Sequence, residues 1–338
     1  YVQGTGNATG GGTDNYGVTL ESSGQITAGS GGDVQGVGMG ATNAGSNNFG
    51  IQVNGTGSTI TSVDGNVLVT GTGGGSGSSA TNRGVLVTNS AIISAGGTGS
   101  VTVEGNGGTG ATGFSNIGVS VTNTAKITSS GGNVSVTGTG GGSGTSGNNI
   151  GVQVQFSSAE ISAGGTGTVT VVGNGGTGGN GNNNQGVFVG TTNAIITSSG
   201  GDVSVTGTGG GTGASAGSSG VIVINVAQIT AGGTGNVTVV GTGGTGTGTG
   251  NNGVFITAAD AKITSSGGNV SVTGLEGGGS NGTGIANLSS AAITTATNGG
   301  NISLIANSMT LSSTVSANGS SSVTLRPYTN GVQINLGS

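Results

Sequence analysis

The sequence contains no cysteine, histidine or tryptophan, and its 338 residues include a single proline, Pro327. Without cysteine the chain has no disulfides, no thiolate nucleophile and no cysteine-ligated metal. The absence of cysteine is compatible with an oxidising and with a reducing compartment. One proline and the lack of a strict Gly-X-Y period exclude a collagen helix.

Charge is scarce as well, at 4% of residues and a formal net charge of −5. The four basic residues Arg83, Lys126, Lys262 and Arg326 lie far apart, so we expect no nucleic acid as a partner. No apolar run approaches the roughly 18–20 residues of a transmembrane helix, so we expect no membrane insertion. The chain starts at Tyr1 without a signal-peptide pattern, which indicates a mature product or a piece of a longer protein.

Glycine is abundant, with 85 residues, and Val, Ile and Thr recur throughout the chain. Disordered chains are usually charged and poor in β-branched residues, so this composition indicates a folded protein. We expect glycine to occupy corner turns that need positive φ, and stacked Asn, Ser and Thr to form ladders.

A tandem repeat organises most of the chain, with a period of about 34 residues. A glycine followed by Val or Ile opens each unit, at Gly17, Gly50, Gly84, Gly118, Gly151, Gly186, Gly220, Gly253 and Gly284. Within a unit, apolar residues alternate with polar ones in three short runs, the period of half-buried strands. In the unit from Gly118 the inward set is Val119, Val121, Ala125, Ile127, Val134 and Val136. The pattern predicts an all-β, right-handed parallel β-helix (β-solenoid) with three short strands per coil.

The repeats differ along the chain. Past Gly300 the Gly-rich stretch disappears, and the equivalent runs that start at Ile302 and Val323 follow one another after 21 residues. That interval predicts a basic coil of about 21 residues. Gly-rich loops at one corner then account for the longer tandem repeats of residues 1–305. The segment 306–338 is expected to continue the same solenoid. Units with ITSSGG alternate with units of the form I(S/T)AGGTG, which doubles the period to about 68 residues.

The ends of such a solenoid expose unpaired backbone groups, which invite pairing with another chain. Neither end of the sequence shows a helical period or a charged cap. We expect the rod to continue, either covalently or by end-to-end stacking on copies of itself.

The closing stretch SVTLRPYTNGVQINLGS, at 322–338, resembles a recurrent segment of giant bacterial surface adhesins of the filamentous haemagglutinin-like class. Those proteins carry a strand, an Arg or similar residue, a short polar turn and a Gly-x-x-Ile-x-Leu-Gly strand. Units such as AKITSSGGNVSVTG likewise resemble their tandem repeats, so the resemblance covers most of the chain. It implies secretion across the outer membrane, a right-handed β-helix and a role in adhesion or surface structure. Host or surface glycans are expected as partners. The N-terminal secretion domain typical of that class is not visible.

No residue is expected to act in catalysis, and neither a metal nor a cofactor is expected. The carboxylates are scattered, and Asp33 and Asp202 share a position with Asn133, which favours a turn residue over a catalytic acid. The GGxG strings lack the Asp of calcium-binding nonapeptide repeats, and no GK(S/T) follows the GxGxxG matches.

Two sets of outward residues are candidates for binding. A ladder of Ser and Thr on the third strand would form an ice- or carbohydrate-binding surface, although Val172 and Val240 interrupt one of its columns. Three phenylalanines near the first strand are candidates for lateral self-contact between rods. The ladder residues are Ser135, Thr137, Ser204, Thr206, Ser271 and Thr273, and the self-contact residues are Phe156, Phe188 and Phe255.

Overall fold

A computed structural model of the chain describes residues 1–7, 11–297 and 299–333. All regular secondary structure among these residues is β-strand. The strands form three parallel sheets that run the length of a solenoid, and each coil contributes one strand to each sheet. The expected fold class, a parallel β-solenoid with three strands per coil, is confirmed. Residues 334–338, which carry most of the last strand expected from the closing motif, lie outside the described residues.

The first sheet contains the strand that opens each coil. Its strands are Val18–Leu20, Ile51–Asn54, Val85–Thr88, Val119–Thr122, Val152–Gln155, Val187–Gly190, Val221–Ile224, Val254–Thr257, Ile285–Asn287 and Met309–Leu311. The second sheet follows after a short corner. Its strands are Gln25–Ala28, Thr59–Ser62, Ile92–Ala95, Lys126–Ser129, Glu160–Ala163, Ile195–Ser198, Gln228–Ala231, Lys262–Ser265, Ala292–Thr295 and Thr314–Ser316.

The third sheet has eleven strands. They are Val2–Thr5, Val34–Met39, Val67–Thr72, Val101–Asn106, Val134–Thr139, Val169–Asn174, Val203–Thr208, Val237–Thr242, Val270–Leu275, Ile302–Ile305 and Val323–Arg326. Strand neighbours in a sheet lie about 4.8 Å apart, so ten stacked coils form a rod roughly 45 Å long.

The core consists of apolar columns inside the three sheets. Register pairs Val119 with Val152 and Ile127 with Ile161, so each inward side chain lies over its equivalent in the next coil. These side chains are completely buried, as are Ala125 and its equivalents at the corner between the first two sheets. Full burial of one aliphatic side chain stabilises the fold by about 1.5–3 kcal/mol. Stacking is what completes that burial, because one coil alone has no cover above or below.

The Gly-rich segments form an ordered second layer rather than separate loops. Each segment, such as residues 140–150, leaves the coil after the third sheet and returns before the first sheet. Consecutive segments are joined by backbone hydrogen bonds, for example from Gly142 N to Gly108 O (2.8 Å) and from Gly176 N to Asn149 O (2.8 Å). Ser76–Gly77 and Gly110–Ala111 even form a short parallel pair. We call these stacked segments the side layer.

A ladder of buried amides holds the side layer together. Asn116 Nδ2 donates to Asn149 Oδ1 (3.2 Å), and Asn149 Nδ2 donates in turn to Asn184 Oδ1 (3.0 Å). Because an unpaired buried amide would be costly, a column in which successive Asn side chains satisfy one another is self-consistent. The side-chain bonds run from Asn15 to Asn184, and Ser218 and Asn251 continue the column as acceptors for backbone amides. The column, which we call the Asn ladder, is Asn15, Asn48, Asn82, Asn116, Asn149, Asn184, Ser218 and Asn251.

The doubled period of the sequence has a physical counterpart in the side layer. Ser146 Oγ donates to the carbonyl oxygen of Gly113 in the preceding coil (2.6 Å) and lies 3.0 Å from Asn149 Oδ1 in its own coil. Glycine takes the place of this serine in the alternate coils, as at Gly113. The serine hydroxyl of one coil type thus donates a hydrogen bond to the glycine carbonyl of the other.

Close backbone approach, more than positive φ, accounts for the glycines where the side layer begins. A Cβ on Gly138 would overlap the carbonyl oxygen of Gly151, and one on Gly118 would lie 2.6 Å from the same oxygen. The chain therefore leaves and re-enters the coil where two backbone segments lie so close together that only glycine fits. We call this close contact the glycine pinch. Ala306 follows Ile305, the partner of Thr273, and so takes the place of this glycine where the coil has no side layer.

The expectation that glycine would occupy the corners is wrong in most coils at the corner between the first and second sheets, where only the second coil has glycines, Gly55 and Gly57, with positive φ. Asn123 and Thr124 stand there with φ of 54° and 62°. Asn tolerates left-handed backbone because its short side chain can hydrogen-bond locally. Stacking adds further support, since Thr124 and Ser90 hydroxyls of successive coils lie 2.6 Å apart.

The glycine pinch leads to a stability prediction. Gly138→Ala is expected to destabilise the protein by roughly 1–3 kcal/mol, because the new methyl group forces two backbone segments apart. Gly29→Ala is the matched control, since a Cβ there meets no atom within 4 Å. Thermal unfolding followed by circular dichroism should show a lower midpoint for Gly138→Ala alone. Equal midpoints for the two variants would contradict the pinch.

Candidate functional site

The predicted Ser/Thr ladder lies on the outer surface of the third sheet. Register places Ser135 beside Thr170 and Thr170 beside Ser204, so one column carries only hydroxyls from Thr102 to Thr324. The neighbouring column, through Thr137, Thr206 and Thr273, alternates with Glu104, Val172 and Val240. All six predicted residues, with Ser271 and Ser204 in the first column, are partly exposed.

A longer hydroxyl column lies on the second sheet, where the sequence analysis did not predict one. Register joins residues that are all Thr or Ser through ten coils, and several of their hydroxyls bond to one another. Thr61 and Ser94 hydroxyls lie 2.9 Å apart, as do those of Thr128 and Ser162. In the sequence, each of these residues directly follows the inward Ile or Val of its second strand. The column is Thr27, Thr61, Ser94, Thr128, Ser162, Thr197, Thr230, Thr264, Thr294 and Ser316.

The three phenylalanines predicted for self-contact do not form one patch. Phe188 and Phe255 lie in one outward column of the first sheet, separated by the buried Ile222. Both are partly buried. Phe156 is 44% exposed and occupies the following corner, at φ 66°.

The outer face of the first sheet is largely covered by the side layer. Along its outward column, Leu86, Ser120 and Gln153 are buried although they point away from the core. The covering residues stand two positions before each first strand, as Ile117 and Ile150 do, and they are buried too. This second, smaller core lies between the sheet and the side layer.

An aromatic and cationic stack forms the N-terminal part of that covering column. The rings of Tyr16 and Phe49 stack with centroids 5.1 Å apart, and Arg83 Cζ lies 6.0 Å from the Phe49 centroid. Burial lowers the pKa of Arg83 to about 10. Within the described chain its Nε atom is buried without a hydrogen-bond partner. The sequence analysis did not predict this stack, although Tyr16, Phe49 and Arg83 recur at the interval of the tandem repeat.

A groove opens where the side layer stands away from the first sheet. It has a volume of about 390 Å³ and extends over three successive coils. One wall is the exposed edge of the side layer, with Asn148 and Asn183, and the other is the first sheet, with Gln153, Gln155 and Phe188. A second depression, of about 600 Å³, shares Asn148 and Asn183 with this groove and is also lined by Phe114, which is 56% exposed.

Two of the scattered carboxylates, Asp33 and Asp202, link successive coils at the turns. Asp33 Oδ1 accepts a hydrogen bond from Asn66 N (2.7 Å), and Asp202 Oδ1 accepts one from Asn236 N (2.7 Å). Asn133 Oδ1 does the same for Thr168 N. The described residues contain no cluster of three acidic, His or Cys side chains able to hold a metal. They also include no helix long and apolar enough to span a membrane.

The Tyr16 environment leads to a titration prediction. Burial, followed by the hydrogen bond from Tyr16 to Asp14, raises the Tyr16 pKa to about 12. The stabilisation is complete below the unfolded pKa, about 10, and is lost as pH rises through the folded value. The lowered pKa of Arg83 changes stability in the same pH range but in the opposite direction. Tyrosinate absorbance reports on tyrosine alone, so it is a more specific measurement than stability. Tyr16→Phe should remove a transition near pH 12 that Tyr328→Phe leaves in place, and its persistence in Tyr16→Phe would contradict the assignment.

Comparison of the sequence with protein-family models and with curated proteins gives no match, and comparison of the fold with solved structures gives none either. The coil geometry of this chain alone therefore defines its architecture: a parallel β-solenoid with a stacked, glycine-rich side layer.

Proposed function

We propose that this chain is a repeat segment or protomer of an extracellular bacterial fibre, stalk or sheath that assembles by end-to-end stacking. The proposal rests mainly on the two ends of the solenoid. The resemblance of the repeats to filamentous haemagglutinin-like adhesins supports the bacterial cell surface as its location.

At both ends of the described coils, core columns are less covered than in the middle of the rod. Ile60 and Ile93 are completely buried, whereas Ile26, in the same column of the first full coil, is partly exposed. Leu304 is completely buried, and Leu325, its partner in the last described coil, is partly exposed. Exposed apolar surface of this kind marks a site of association.

Backbone groups at the ends add to the case. In later coils the amide that opens the second strand donates to the preceding coil, as Thr59 N does to Gly24 O (3.0 Å). The equivalent strand of the first full coil, Gln25–Ala28, pairs with one described strand only, Thr59–Ser62. An edge of this kind accepts another strand in the same register.

All three sheets are parallel, so the two ends of the rod differ and are complementary. Stacking of the last coil of one copy on the first coil of the next is a heterologous contact, which generates an open filament. A covalent continuation of the solenoid would cover the same surfaces. Either arrangement serves a stalk or fibre that holds a binding region away from the cell.

Electron microscopy of the purified chain at several concentrations tests this proposal. We expect rods whose length grows with concentration. Ile26→Lys should abolish that growth, because a charge that points inward at an edge blocks strand addition. Thr27→Lys is the matched control, since its side chain lies on the outer column and leaves the end of the core apolar.

Circular dichroism must show that both variants remain folded, and Gln25→Pro provides a second test. Proline is tolerated at the first residue of an edge strand but removes the donor that a stacked copy would use. Isolated short rods of the unmodified chain at every concentration would overturn end-to-end assembly. Equal filament growth of Ile26→Lys and Thr27→Lys would exclude this end as the contact.

A second candidate function is binding of ice or carbohydrate by the outward Thr/Ser ladders. The unbroken hydroxyl column on the second sheet favours it, because regular hydroxyl spacing suits a repeating ligand. This candidate predicts thermal hysteresis in the purified protein and a loss of hysteresis in Thr197→Leu. No hysteresis would remove the ice-binding form of the candidate.

A further inference from the structure

The groove beside the first sheet differs in chemistry from both hydroxyl columns. Five carboxamide side chains line it, and each amide offers two donors and an acceptor in one plane. The five are Gln153, Gln155, Gln185, Asn148 and Asn183. Its volume, about 390 Å³, lies within the range of small-molecule sites.

Two of the amides are held in orientation by hydrogen bonds from within the fold. Gln153 Oε1 accepts from the buried Ser120 hydroxyl (3.0 Å), so the amide nitrogen is the group that Gln153 offers to a ligand. Gln185 Nε2 donates to Gly217 O (3.3 Å), so its oxygen is the group on offer. A fixed donor and a fixed acceptor on adjacent coils suit a ligand rich in hydroxyl groups.

Phe188 contributes apolar surface to the same groove. Its ring is partly exposed, and it pairs along the column with Gln153. A flat ring beside amides matches sugar units, which present an apolar C–H face and hydroxyls at the rim. Peptides and lipids offer less of this combination.

The charge and shape of the groove further restrict the class of ligand that fits it. Among the described residues that line the groove, none is charged, so nothing there compensates an acidic or basic ligand. Coils follow one another at about 4.8 Å. One sugar unit of an extended glycan advances by a similar distance, so Asn148 and Asn183, which occupy equivalent positions in successive coils, would meet successive units.

We infer that this groove binds a neutral glycan chain that lies along the axis of the rod. The site is lateral and separate from the solenoid ends, so it stands whether or not the rods stack. It also differs from the hydroxyl columns, which lie on the other two sheets.

Saturation-transfer NMR on the full chain tests the inference, with cellohexaose, mannohexaose and chitohexaose as probes. We expect transfer to at least one of them, and stronger binding of the hexamer than of its dimer because the groove spans three coils. Hexagalacturonate, which is acidic, should bind more weakly than the neutral probe. An alanine–glycine peptide tests for a polypeptide ligand.

A matched pair of variants locates the binding. Phe188→Ala should weaken binding about tenfold, as expected for the loss of one aromatic contact. Phe255→Ala removes a ring from the same column, two coils away and outside the groove, and should leave the affinity unchanged. Gln155→Ala supplies a second test on the same wall, with circular dichroism to show that each variant is folded.

Three outcomes would overturn the inference. They are no transfer to any neutral hexasaccharide, equal loss of binding in Phe188→Ala and Phe255→Ala, or preferential binding of the peptide or the acidic glycan. Because microscopy reports on stacking and NMR reports on the groove, failure of one proposal is distinguishable from failure of the other.

Discussion

The whole structure depends on parallel stacking in register, which places each residue over its equivalent in the next coil. Like charges in such a column would repel one another. This constraint accounts for a chain in which only 4% of residues are charged. A second outward column of the second sheet, next to its hydroxyl column, shows how charges can be accommodated. There Lys126 lies directly beside Glu160, and the two form an ion pair of 2.6 Å. Asn, Ser and Thr carry both donors and acceptors, so they can stack on themselves without such a partner.

The same constraint explains how so much glycine is compatible with an ordered fold. At the pinch between Gly138 and Gly151, two backbone segments touch, and the following coils repeat the contact as far as Gly274 and Gly284. The side layer that begins there is narrow, with a buried amide column in place of an apolar core. Glycine lets its backbones approach closely enough to bond, and the Asn ladder supplies the polar partners.

The side layer gives the rod two kinds of lateral surface. The second and third sheets present regular columns of hydroxyls. The first sheet is covered in part, and the groove lies along the boundary of that cover. The first and last described coils, by contrast, leave the main core partly exposed. Lateral binding and end-to-end assembly would therefore use separate parts of the molecule, a suitable division for a segment of a surface fibre.

Much of the fold could be predicted from the sequence, because alternation within strands and the recurrence of the unit that opens with Gly-Val or Gly-Ile can be read directly from the chain. The six inward positions of the unit at Gly118 and the outward ladder from Ser135 to Thr273 follow directly from that recurrence. The groove could not be predicted in this way. Gln153 and Phe188 read simply as outward residues, and their surroundings depend on the path of the side layer back over the first sheet. The sequence by itself determined the coil, its strands and its core, whereas only the tertiary structure decided which outward faces are covered. The physical reason is that alternation reports which side of a strand a residue occupies, but not what lies against that side.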